Sequence, residues 1–202
     1  PVRRRDGESI RDSALQVAGA LNLKAGGPGV KPELPKHLAE SRYAWVPDTD
    51  PSEWNRRSVY VFNRRTLMLP LLKAFDGPDR NLSCPARTTT VTAEQALSRL
   101  NGPFAFEQAR RVAGTVLKTE ADPKRLAIAC YRQVLGREPS PVETAAAVRF
   151  LDAQAKLLQA EGKVPSESLP VPTPTAMPES TAAAVVDLAH ALLNASEFAY
   201  VE

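Results

Sequence analysis

Cysteine and histidine are scarce, at two of each in 202 residues. Cys84 and Cys130 allow at most one disulfide, and only in an oxidising compartment; the alternative is two separate thiols, with Cys130 buried on a helix. No C-x-x-C-H is present, so the chain attaches no c-type haem of its own. His37 sits in a proline-rich loop beside Lys36, and His190 lies near the apolar face of the last helical segment. Neither has a spacing that brings it together with a cysteine, an aspartate or the other histidine, as a metal site or a triad requires. G-x-S-x-G and H-E-x-x-H are absent as well. No run approaches the ~18 uninterrupted apolar residues of a membrane span. No charged stretch followed by an apolar one marks a signal peptide, and the start at Pro1 suggests an excised or processed piece of something longer. The net charge of +3 is too mild to imply a nucleic-acid partner.

What is present is ordinary globular material, 43% hydrophobic and 24% charged. A chain of 202 residues buries a real core, and a single helical domain over 1–202 is the natural reading. Its 18 prolines fall mainly between periodic segments. Asp6 to Asn22 reads as a helix, with Ile10, Ala14, Val17, Ala18 and Leu21 on one face and "KAGGPG" as its stop. A short helix fits Lys36 to Ser41. Ser58 to Phe62 is the one good strand, with a mate expected near 88–91 or in chain not present here. A broken apolar run from Leu67 to Phe75 ends at the turn "DGPD". "TAEQ" is a capping box opening a helix over Thr92 to Leu100. Further helices are predicted over Phe104 to Thr119, over Pro123 to Leu135 capped by Asp122, from the Ser140–Glu143 box to Glu161, and over Thr181 to Tyr200. Val164 to Glu179 holds five prolines and reads as a mobile surface linker or insertion. The fold class is mostly α: a compact bundle of five or six helices with one short strand and a Pro-rich surface loop.

"RRSVYVFNRR", Arg56 to Arg65, is the stretch with the clearest chemical content. As a strand it carries apolar groups on both faces and four guanidiniums at its two ends. It therefore lacks the continuous basic stripe that nucleic acid needs. Guanidinium forks take carboxylates, phosphates and sulfates alike. Internal pairing, with Asp76 as one available carboxylate, stands against an anionic ligand held by Arg56, Arg57, Tyr60, Arg64, Arg65 and Arg87. "DTDPSE" offers Asp48, Asp50 and Glu53 in a spacing like that of a calcium loop, but Pro51 interrupts it and a capped turn before Trp54 is the plainer reading. "AGGPG" follows a helix, whereas phosphate cradles lead into one. Asp76 and Asp79 are the densest acids for glycosidic chemistry and also ordinary turn residues.

"ESIRDSALQVAGALNLKAGGPGVKPELP", "RRSVYVFNRR", "LKAFDGPDRNLSCPARTTTVTAEQALSRLN", "YRQVLGREPSPVE" and "LAHALLNASEFAYVE" follow one another in one order. In this the chain resembles, over nearly its whole length, the C-terminal part of a planctomycete domain family of unknown function. That domain closes large secreted proteins that often begin with a cytochrome-c-like domain. The resemblance implies an extracytoplasmic setting (periplasmic, cell-surface or secreted) and no catalytic residues, because the family has none agreed. It also implies an N-terminal half of the domain, upstream of the first helix, supplied by the same protein or by another chain derived from it. The expected function is a non-catalytic structural or binding module that packs on upstream domains and takes an anionic, for example sulfated, polysaccharide. The alternative is part of a polysaccharide-active or electron-transfer enzyme whose active site is shared with other domains, with Arg57, Tyr60 and Arg87 lining a cleft. No cofactor, metal, nucleic acid or membrane span is expected in this chain.

Overall fold

The computed structural model describes residues 2–41, 43–79 and 81–201, so Pro1 lies outside the described residues. In chain order the elements are β1 (Arg3–Arg4), α1 (Gly7–Val17), α2 (Lys36–Ala39), α3 (Pro51–Trp54), α4 (Pro70–Ala74), α5 (Ala93–Asn101), α6 (Pro103–Val116), α7 (Pro123–Leu135), α8 (Pro141–Glu161), α9 (Glu179–Asn194), α10 (Ser196–Ala199) and β2 (Tyr200–Val201). The protein is mostly helical, with one two-stranded sheet among the described residues. Several of the ten α-helices among the described residues are single turns. No helix there is long and apolar enough to cross a membrane.

The helix ends follow local chemistry. Asp6 Oδ1 accepts from Ser9 N at 2.7 Å and Asp122 Oδ1 from Arg125 N at 3.0 Å, each satisfying an orphan donor of a first turn. Ser140 and Glu143 form a reciprocal box, with Ser140 N donating to Glu143 Oε2 at 2.7 Å and Glu143 N to Ser140 Oγ at 3.2 Å. Gly136, at φ 71°, ends α7. α1 stops at Val17 rather than Asn22, because Gly19 turns left-handed at φ 65°. The N–H groups of Ala20 and Leu21 then close on the carbonyl of Leu15.

α9 is the hub. Ala182 to Val186, Leu188, Ala189, Leu192 and Leu193 are all buried, so the helix is apolar almost all round. It packs on α6, α7 and α8. α6 meets it with Ala109, Val112 and Ala113, each 0% exposed, and α7 with Leu126, Ala127 and Cys130. α1 adds Ile10 and Ala14 to the same core, and Ala18 follows just past its end.

Two expectations are corrected. Ser58 to Phe62 is not a strand: Ser58–Tyr60 is a 3₁₀ turn. Asp12 on α1 causes this, since its Oδ1 takes both the backbone N–H of Ser58 (2.8 Å) and its hydroxyl (2.7 Å). The extended backbone that remains pairs with Val30, whose N–H donates to Tyr60 O at 2.8 Å and whose carbonyl accepts from Phe62 N at 2.7 Å. The partner is thus neither 88–91 nor absent chain. Val59 is 72% exposed while Val61 is 5% exposed; in a strand the two would share a face, and the turn separates them. The second correction concerns the last helix, which ends at Asn194. Ala195 is extended at ψ 149°, and the chain resumes as α10 and β2. β2 pairs antiparallel with β1, Arg3 opposite Val201 and Arg4 opposite Tyr200, joining the two ends of the chain. Residues 164–179 run along the surface as the Pro-rich loop expected, with three residues turned inward. Val164, Leu169 and Pro170 are buried, and Val164 and Leu169 form a small cluster with Ala183 and Leu158.

Candidate functional site: a cavity between α1 and α6

α6 begins at Pro103, whose missing N–H costs nothing at a first helical position. Phe104, Gln108 and Val112 then recur at i, i+4 and i+8 and share one face of the helix. Phe104 and Gln108 line a cavity of about 840 Å³. α1 supplies Ile10, Arg11 and Ala14 to its wall, α3 Trp54, the end of α5 Ser98 and Arg99, and the last turns of the chain Leu193 and Phe198. Its size lies within the range typical of ligand sites.

The wall is mainly apolar, with a few polar groups of strong character. Gln108 is 4% exposed. Its Nε2 donates to Phe104 O at 3.3 Å, but its Oε1 is buried without a partner among the described residues. Nε and Nη1 of Arg99 are likewise buried and unpartnered. An acceptor and two donors left unsatisfied cost on the order of 1–3 kcal/mol each. Arg11 is 3% exposed; its Nη1 donates to Arg56 O at 2.9 Å and to Ser58 Oγ at 3.2 Å, and its Nη2 to Trp54 O. Burial pushes its guanidinium down to about 10, against the opposing charge of Asp12, so it remains cationic at neutral pH. Burial also lowers Arg99, with Tyr200 acting in the other direction. Arg11, Lys36, Arg99 and Arg111 face Glu33 and Glu107 around the cavity, four cations against two anions, a surplus of two. Glu107 is held by Arg110 at 2.9 Å and Arg111 at 3.0 Å.

The residues singled out in the sequence lie elsewhere. Arg56 is 1% exposed; its guanidinium donates to Lys24 O (3.1 Å), Gly26 O (2.5 Å) and Glu53 Oε2 (3.4 Å), and stacks on the Tyr60 ring at 4.2 Å. Arg57 is exposed, 3.9 Å from Asp12. Arg64 donates to the carbonyls of Tyr43 and Ala44 at 3.0 and 3.3 Å. Arg65 is exposed. Arg87 forms a two-pronged bond to Glu8, at 2.9 and 2.8 Å. Internal pairing therefore dominates at Arg56, Arg64 and Arg87, with Glu53, Glu8 and backbone carbonyls as partners in place of Asp76. Asp76 pairs with Arg4 and accepts from Thr90 N at 2.9 Å and Thr90 Oγ1 at 2.8 Å. Burial pushes its carboxyl up, but the bonds from Thr90, the charge of Arg4 and the bond from Gln95 outweigh this and hold it below the usual range.

Asp48, Asp50, Glu53 and Asp79 have structural partners. Asp48 accepts from Lys31 N (2.8 Å), Asp50 caps α3 through Ser52 N (2.9 Å), Glu53 pairs with Lys24 (2.9 Å) and Asp79 accepts from Asn81 N (2.8 Å). Among the described residues no group of three or more His, Cys, Asp or Glu could hold a metal ion. Cys84 is exposed and Cys130 buried, and both are free thiols. Burial pushes the Cys130 thiol up to about 12. His190 lies edge-on to Phe106, ring centroids 5.4 Å apart, with Nε2 unpartnered among the described residues.

Arg11, Arg99 and Gln108 were not picked out in the sequence. Arg11 and Gln108 carry a signal all the same: each is a polar residue in the middle of an apolar helical stripe, Arg11 between Gly7 and Leu15 and Gln108 between Phe104 and Val112. For Arg99 the sequence holds no such mark.

Comparison with known proteins bears on the whole of this region. A family described as "PSD1: Protein of unknown function (DUF1553)" matches residues 1–151, about three-quarters of the chain. The chain belongs to the PSD1 family. The PSD1 match runs from β1 into α8 and includes all of the cavity wall except Leu193 and Phe198. α9, the hub of the core, lies beyond it. Comparison with curated proteins and with solved structures yields no match.

Proposed function

We propose that this PSD1 chain is a non-catalytic binding module of a larger extracytoplasmic protein, and that its cavity receives a polypeptide segment of that protein with an apolar anchor and a carboxylate. The observation that carries this reading is the pair of orphaned groups at the cavity wall, Gln108 Oε1 and the Arg99 N–H donors. A peptide unit offers the donor and the acceptor these groups lack. A carboxylate answers the surplus of two cations, and an apolar side chain suits a wall built from Trp54, Phe104, Leu193 and Phe198. The acid on α6, Glu107, is already tied to two arginines, which supports binding over proton transfer at this wall. The extracytoplasmic setting rests on the resemblance to domains that close secreted proteins. The same resemblance supports an anionic glycan as a second ligand of the exposed arginines Arg57 and Arg65.

The test is an array of overlapping peptides covering the full-length gene product, probed with this chain. Segments pairing an aliphatic or aromatic residue with an acid are expected to capture it. Gln108→Leu and Arg99→Met, each of which replaces an orphaned polar group by an apolar one, are expected to weaken capture about tenfold or more while leaving the fold intact. Capture of no segment, or capture indifferent to both substitutions, would refute the reading.

A further inference from the structure

A second crevice, of about 500 Å³, lies at the opposite end of α1 from Gly19, between β1, the Phe75–Asp76 turn and residues 87–89. Four arginines line it: Arg3, Arg4, Arg5 and Arg87. Two of them are committed to the fold. Arg4, 8% exposed, donates to Thr90 O at 2.9 Å, to Arg5 O at 3.0 Å and to Asp76. Arg87 is held by Glu8.

Arg3 and Arg5 differ. In β1 Arg4 is buried and Arg3 exposed, and Arg5 follows directly after the strand. Arg3 is exposed and Arg5 partly buried. Among the described residues neither has a carboxylate within ion-pairing distance, and Arg5 has only the Ser13 hydroxyl, at 3.3 Å. Two acids share the wall: Asp6 caps α1 through Ser9 N and lies 3.9 Å from Arg87, and Asp76 is taken up by Arg4 and Thr90, which leaves four cations against two anions. Like charges lining one crevice repel, and a shared anion between them turns that repulsion into attraction. The positive end of α1 adds to the field. Hydroxyls of Ser9, Ser13 and Thr88 stand in the same wall and suit a polar body attached to the anion.

We infer that this crevice binds a sulfate or phosphate ester of a small polyol, with Arg3 and Arg5 gripping the oxyanion and Ser9, Ser13 and Thr88 meeting the hydroxyls. The site is separate from the cavity between α1 and α6 and does not depend on its ligand.

The chain is titrated with glucose 6-sulfate, glucose 6-phosphate, inorganic sulfate and inorganic phosphate, at ionic strength matched with sodium chloride, while backbone amide NMR shifts are followed. Saturable shifts confined to residues 3–13 and 87–89 are expected with the esters, at least about tenfold tighter than with the free anions. Arg3→Ser, at an exposed residue with no ion pair among the described residues, is expected to weaken the esters about tenfold, and Arg3→Ser/Arg5→Ser to abolish the shifts. Lys118→Ser/Lys163→Ser, which removes the same charge from exposed positions outside the crevice, is expected to leave them unchanged. Equal weakening by that control pair would overturn the site in favour of bulk charge. Absence of saturable shifts would overturn it outright, and free anions binding as tightly as the esters would overturn the ester assignment.

Discussion

Replacing Gly114 by alanine should destabilise the protein, although in most helices the same change stabilises. In a helix interior, alanine is better than glycine by up to about 1 kcal/mol. Gly114 lies on α6 under the 169–172 segment. A Cβ there would stand 2.2 Å from Val171 O, 2.3 Å from Val171 C and 2.7 Å from Pro172 N. Ordinary carbon–oxygen contact begins near ~3.3 Å, so the segment must lift by about 1 Å. The atoms in the way are backbone and cannot swing aside as a side-chain tip could. The lift strains three anchors: Arg110 Nε to Leu169 O at 2.6 Å, Arg110 Nη2 to Ser166 O at 3.3 Å, and Val171 N to Arg110 O at 3.0 Å. It also opens the burial of Leu169 and Pro170. Overpacking of this kind costs about 1–3 kcal/mol, and a hydrogen bond from a charged donor is worth about 1.5–3 kcal/mol. Set against the helix gain, the net loss should be about 2–4 kcal/mol. Urea unfolding followed by far-UV circular dichroism reads this directly as a lower midpoint with an unchanged slope. A Gly114→Ala protein as stable as the parent, or more so, would refute the close approach of α6 and the 169–172 segment.

Arg56→Lys should lower stability by about 3 kcal/mol in the same assay, because an ammonium cannot span Lys24 O, Gly26 O and Glu53 as the buried fork does. A near-neutral Arg56→Lys would show that Arg56 is not an anchor. Burial lowers the folded-state pKa of His190 below its ordinary 6.5, with smaller opposing effects from the Arg99 backbone and Asp187. Its contribution is then present above pH ~6.5 and declines as pH falls through the lowered value. Stability against pH should therefore slope downward just below 6.5, and His190→Gln should flatten that slope; an unchanged slope would contradict the burial. Ellman's reagent should titrate one thiol rapidly in the native protein, the exposed Cys84, and the second, Cys130, only in denaturant. Two fast thiols, or none, would be incompatible with the structure.

How much could be read in advance varies by element. α7 and α8 have the boundaries that Asp122, Ser140–Glu143, Gly136 and Gly162 announce. Thr92 and Gln95 open α5 as the capping box requires. α1 was read five residues too long because its apolar spacing continues past Val17, whereas Gly19 turns the backbone away. "SVYVF" has the composition of a strand, yet an aspartate 46 positions earlier in the chain captures Ser58 and tightens the segment into a turn. The two real strands hold two residues each, too few for an alternation to be visible.

Sequence by itself determined the helical class, the helix boundaries set by caps and prolines, the apolar faces of α6, α7 and α9, and the family. Each of these is written in residues within a turn or two of one another, where side chain and backbone meet whatever the rest of the chain does. Tertiary structure alone decided that Arg56 is an internal anchor, that β1 and β2 pair, and that Gln108 Oε1 and two nitrogens of Arg99 lack partners among the described residues around one cavity while Arg3 and Arg5 line another. Those outcomes depend on contacts between residues tens to nearly two hundred positions apart, and no local pattern records which distant group will arrive beside a given guanidinium.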